Sequence, residues 1–235
     1  MSACTTRNRF LSRLPVLAGL LVAASALPAA AHAQSIEGQI AIASEYVGKG
    51  LGKSDGNPSI SGSIEAESGA FYASAFASTA DLSSGAHAEV ILTAGYRPEF
   101  AGFAFDFSVM NRDLPGANPG YDGNYWEYQA DASRKLGPVS TRLRVNYTPD
   151  GAGGTQEAWW VELQGGVAID GKTRVTAAIA DRTAEGGADY VAWNAGVKRK
   201  LTDNLALDVR WYDTDGHSFG EAYEGRLVGS LALSF

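Results

Sequence analysis

The side chains best placed to do chemistry in this 235-residue chain are charges set at every second position of short segments. Glu127, Gln129 and Asp131 follow this spacing, as do Arg142 and Arg144, Asp208 and Arg210, and Glu224 and Arg226. Carboxylates and guanidiniums along one face of a strand create fixed fields, and rings of such charges filter solutes in pores. The full candidate lining is Glu89, Asp106, Glu127, Gln129, Asp131, Arg142, Arg144, Glu162, Arg174, Asp208, Arg210, Glu224 and Arg226. Glu37, Glu45, Glu65, Arg97 and Lys198 share the same face, which then holds ten acids against seven bases and predicts a weak preference for cations. Folding the chain about Leu136-Gly137 is expected to set Asp131 opposite Arg142 and Gln129 opposite Arg144.

A different chemistry is offered by Asp213-Thr214-Asp215-Gly216-His217, since a histidine beside carboxylates can activate water for hydrolysis. No second acidic pair facing it is legible. His87 is read as a strand residue pointing inward. The spacing Gly48-x-Gly50-x-Gly52 is not a dinucleotide fingerprint, because no helix follows it. There is no Cys/His cluster to hold zinc or iron, so neither a metal nor a cofactor is expected.

The elements that must carry these charges are strands. Beyond residue 34, segments of roughly ten residues alternate apolar and polar, with Gly, Asn, Asp, Pro and Ser between them. Twelve are counted, from 35–47 to 222–235, with the third, 70–79, poorly patterned because Phe71 and Phe76 fall on opposite faces; ten strands remain an alternative to twelve. Short turns (68–69, 98–101, 135–137, 170–171, 200–203) alternate with longer loops (48–56, 80–85, 112–123, 149–155, 183–188, 213–221). This is the pattern of an all-β, transmembrane, up-and-down antiparallel barrel with both termini on the periplasmic side.

Two further features favour a membrane over water. A twelve-stranded cylinder is too wide for its apolar face to pack inward, since eight strands already give an interior that side chains just fill. Aromatic residues also fall in two belts: Tyr46, Trp126, Tyr147, Trp159, Trp211 and Tyr223 near the long loops, and Tyr96, Phe103 and Phe235 near the short turns. Amphipathic rings of this kind prefer the two membrane–water interfaces.

Residues 1–33 read as a secretory signal. Arg7, Arg9 and Arg13 precede a short apolar run and Ala31-His32-Ala33, so cleavage is expected near Ala33, leaving 34–235 as the barrel. Loss of those arginines takes the net charge from −7 to −10 and removes the only cysteine, Cys4. An acidic chain without a basic patch is no nucleic-acid binder. The closing residues Leu231, Leu233 and Phe235 have the form of a terminal strand presented to the barrel assembly machinery. The expected partners are therefore that machinery, outer-membrane lipid and lipopolysaccharide, and small solutes or ions.

Ser44 to Pro58 resembles the opening motif of the TorF family of outer-membrane porins, with Tyr46, Lys49, Gly50, Lys53 and Ser54 at its recognisable positions. Gly69 to Ser74, Gly95-Tyr96 and the closing strand are similar to that family as well. Lys49 stands where the family favours arginine, which keeps the charge and loses the planar fork, while Gly48 and Gly52 replace an aromatic residue and a serine. The resemblance implies a passive outer-membrane channel and treats Ser44–Pro58 as an outer loop. The competing readings are a barrel hydrolase using the loop Asp/His pair, and a structural barrel plugged by its own charges.

Overall fold

The computed structural model describes residues 35–235, so the expected signal peptide and the cleavage point near Ala33 lie outside the described residues. Twelve long strands follow one another: β1 (Ser35–Ala43), β2 (Ser59–Ser68), β3 (Phe71–Thr79), β4 (Ala88–Tyr96), β5 (Phe103–Asp113) and β6 (Tyr125–Leu136), then β7 (Val139–Gly151), β8 (Gln156–Ala168), β9 (Thr173–Ala184), β10 (Tyr190–Lys200), β11 (Leu205–Thr214) and β12 (Arg226–Ser234). Each pairs antiparallel with its sequence neighbour, and β1 pairs with β12, which closes the cylinder. Closure leaves no free edge, as a barrel in lipid requires.

The alternation decides which way each side chain points. Ile36, Ile40, Leu92, Phe107, Leu143, Leu163, Ile179, Val209 and Leu231 are exposed on the outer face. Glu89 and Glu127 are the opposite case, 0% and 1% exposed inside. Apolar side chains outward and charges inward is the inverse of a water-soluble core, and it suits a cylinder standing in lipid. Trp126, Tyr128, Trp159, Trp193 and Trp211 ring the long-loop end, and Phe71, Tyr96, Phe100 and Phe235 the short-turn end. Tyr147 joins the first ring by packing on Trp159 at 4.5 Å between centroids.

Local chemistry sets the turns. The Asp170 carboxylate accepts from the backbone N–H groups of Lys172 and Thr173, both at 2.7 Å, which closes the turn into β9. Gly137-Pro138 joins β6 to β7 and pairs Leu136 with Val139. That turn shifts the expected register by two residues: Asp131 faces Arg144, not Arg142, and Gln129 faces Asn146, not Arg144. A shift of two preserves the face of every side chain, so the inside of the wall is unchanged.

Three of the boundaries that differ from the sequence reading bear on the site. Strand β1 ends at Ala43, four residues early, because the chain turns into the bore. Strand β5 runs on to Asp113 and so takes in Arg112. Strand β12 begins at Arg226; Glu224 lies before it and Tyr223 belongs to a one-turn 3-10 helix, Glu221–Tyr223. Tyr223 is thus removed from the outer belt, and its ring meets that of Tyr190 edge-on at 5.3 Å.

Candidate functional site: a constriction across the bore

The segment between β1 and β2 does not extend outward as a loop. It forms a small hairpin in which Val47-Gly48 pairs with Leu51-Gly52. The two-residue turn Lys49-Gly50 has φ of +51° and +81°, the left-handed pair of a type I′ turn. Gly50 is required twice over: its φ is positive, and a Cβ there would lie 2.7 Å from the Ala192 methyl group on β10.

One side of the hairpin docks on β4, β5 and β6. Glu89 accepts from the Tyr46 hydroxyl at 2.6 Å, from the Lys53 ammonium at 2.7 Å and from Arg112 at 2.8 Å. Glu127 is ion-paired with Lys49, lies 3.3 Å from Arg112, and accepts from Asn146 at 3.0 Å and Thr148 at 3.2 Å. Buried carboxylates are tolerated only when paired and hydrogen-bonded, and these two meet that condition with groups from the hairpin. Burial lowers the pKa of Lys49 to about 8, the Glu127 charge offsetting only part of the effect. Burial, helped by Glu89, likewise holds the Tyr46 phenol well above its ordinary value.

The other side docks on β8, β9 and β10. Leu51 packs against a buried cluster of Trp160, Ala180, Tyr190 and Ala192, and the Tyr190 hydroxyl donates to the Lys49 carbonyl at 2.8 Å. Glu45, at the root of the hairpin, pairs with Arg226 on β12. Ser54 steadies the base by accepting from Tyr46 N–H at 2.9 Å and donating to the Asn57 carbonyl at 2.6 Å. Tyr46, Lys49, Gly50, Lys53 and Ser54, read from sequence as an outer-loop motif, are therefore corrected to an inward strap joining opposite walls. A cavity of about 90 Å³ remains beside it, lined by Val47, Lys49, Gly50, Trp160, Glu162, Asn194 and Tyr212 among others.

Below the strap, charges sit in rows. Asp106, Asp131, Arg144 and Glu162 are successive register partners across four strands. Arg144 donates to Asp131 at 2.6 and 2.8 Å, and Arg142 to Glu162 at 2.6 Å. Gln129 accepts from Asn146 at 3.1 Å, Arg210 reaches Asp208 at 3.3 Å and Asn194 at 2.7 Å, and Arg174 bonds Ser140. At the short-turn end Arg97 gathers Glu65 at 2.6 Å, Glu67, and Asp106 at 3.2 Å, and lies 3.7 Å from the Tyr72 ring centre. Glu224 is the exception: it is exposed in the loop before β12 and leaves the wall.

Arg112, Lys49 and Lys53 are the functional residues that the sequence reading left off the wall. Arg112 carried a signal, since it continues the inward parity of Asp106, Ser108 and Met110. With Glu224 off the wall the counted charges are nine acids and seven bases, and Arg112, Lys49 and Lys53 bring the bases to ten. The histidines are also placed differently. His87 lies before β4 and is exposed, not an inward strand residue. His217 contacts Asp213 at 2.8 Å in an exposed loop.

A family model described as "Bacterial protein of unknown function (Gcw_chp)" matches residues 26–230. No curated protein matches the sequence. Among solved structures, the KdgM porin in complex with disordered oligogalacturonate superposes with a TM-score of 0.59 at 10% identity, over 85% of this chain and 98% of that one. The NanC porin gives 0.54 at 9% identity, over 86% and 99%. An outer membrane channel from Pseudomonas putida F1 gives 0.52 at 12% identity, over 89% and 99%. At such identities the likeness is one of fold, the closed antiparallel barrel.

Proposed function

We propose that this chain, which belongs to the bacterial Gcw_chp family, forms a narrow outer-membrane channel for passive diffusion of small solutes or ions. The observation that carries the reading is the strap: a polar, closed bore is crossed by Val47–Gly52, and a cavity of about 90 Å³ borders the tip. That space has room for only a few water molecules, which suits ions and small solutes. The similarity of Ser44–Pro58 to the TorF porins agrees with this reading, as do the barrel neighbours named as porins and channels. The wall charges described above are the proposed lining. Lipid and lipopolysaccharide are the proposed surroundings, with the assembly machinery as a transient partner.

Recordings of the purified protein in planar bilayers test the proposal. Discrete conductance steps are expected, enlarged when Val47–Gly52 is replaced by a short Gly-Ser linker. Silent membranes from correctly folded barrels, with and without the strap, sink the channel and leave the plugged structural barrel.

A further inference from the structure

We infer that Lys49 sets the charge preference of the passage, and that the solutes it favours are small anions. The inference rests on the channel reading and adds the class of solute to it. Five ionised side chains meet where the strap crosses the bore: Lys49, Lys53 and Arg112 against Glu89 and Glu127. Both carboxylates are enclosed and committed to these cations and to neighbouring hydroxyl and amide donors. One positive charge is left unbalanced.

The structure also indicates which cation presents that charge. Lys49 is the most exposed of the three, at 29% against 18% for Lys53 and 14% for Arg112. It also borders the cavity beside the strap. Glu162 lines the same cavity but is held by Arg142 at 2.6 Å, so it does not neutralise the lysine. Arg112 is no substitute for that lysine: its buried Nε–H lies 3.3 Å from Glu127, and its Nη1 donates to Glu89 at 2.8 Å, so its charge is already directed at the two carboxylates.

Position is fixed as well as charge. A lysine at positive φ is uncommon, and this one is held by the Tyr190 hydroxyl on its carbonyl and by the close seat of Gly50 on Ala192. Strained backbone persists where the surroundings over-determine it. Here the result is an ammonium group presented at one place in the bore. Chloride or a small carboxylate is drawn to it, and potassium is repelled.

The test is the reversal potential of single channels under an asymmetric potassium chloride gradient. The wild type is expected to favour chloride over potassium by about 15-fold, since one unit charge acting through water at roughly 5 Å enriches the anion and depletes the cation by about fourfold each. Lys49→Met removes or inverts that preference, and Lys49→Arg keeps it; the folded state of each variant is checked by heat-sensitive gel mobility. A potassium preference in the wild type, or an unchanged reversal potential in folded Lys49→Met, overturns the inference and leaves the channel standing. Silent membranes from folded wild type remove the channel itself, and the inference falls with it.

Discussion

Two clusters of acid and base inside this barrel use the same functional groups in opposite ways. At the strap, Glu89 and Glu127 belong to the wall and are sealed from water, while two of their three cations arrive on a loop. At the short-turn end the cation Arg97 is 37% exposed and three carboxylates surround it. In the first cluster each charge depends on its partner, because a buried charge left alone is strongly unfavourable. In the second, water solvates whatever the partner does not, and exposed pairs are worth little. Burial, not the number of ion pairs, therefore separates a contact that fastens a loop across the bore from one that only arranges charge at its exit.

Removing one wall carboxylate from each cluster should give unequal losses. Glu127→Ala strands Lys49 and leaves Arg112 only Glu89; it is expected to cost about 3–5 kcal/mol, read by urea unfolding in lipid vesicles. An equal loss in Glu65→Ala would erase the distinction. Tyr190→Phe deletes the bond to the Lys49 carbonyl and is expected to cost about 1 kcal/mol, with open-channel noise rising as the strap loosens.

A pH titration sharpens the contrast further. Lys49, with its pKa lowered to about 8 by burial, faces Glu127 on β6, Arg112 on β5, Lys53 on the strap, and Tyr190 on β10. The anion preference should fade as pH rises through about 8. Because the folded chain releases this proton before an unfolded lysine does at its ordinary 10.5, folding becomes more favourable as pH climbs between those values, and below about 8 the cost of burying the charged lysine is present in full and does not change with pH. A preference constant from pH 7 to 9 would remove Lys49 from control. The smallest effect is expected from Arg97→Gln, under about 1 kcal/mol and shrinking with added salt, measured by the same unfolding titration at two ionic strengths.

Strand parity made the wall legible from sequence. Leu143 and Val145 alternate with Arg142 and Arg144, and no other period accounts for both faces. Turn chemistry was less visible: Gly137-Pro138 and Lys135-Leu136-Gly137 both look like turns, and only the paired backbone distinguishes them. The strap was hidden because a loop has no period. Val47 to Gly52 is too short to show amphipathicity, and its docking depends on Glu89 and Glu127, 36 or more residues away along the chain. The third strand was blurred for the same reason: Phe76 faces inward, where its ring lies 6.0 Å from Tyr46 of the strap. The unmatched acids counted on the strands were the trace such a strap leaves in composition.

The pair between Glu45 and Arg226 joins side chains 181 residues apart, one at the root of the strap and one on the last strand. Synthesis makes the strap among the first parts of the barrel, yet one of its anchors is delivered among the last. The catches on Glu89, Glu127 and Tyr190 come before it, so the Arg226 pair is the last bolt, shot home as β12 meets β1 and the seam is shut.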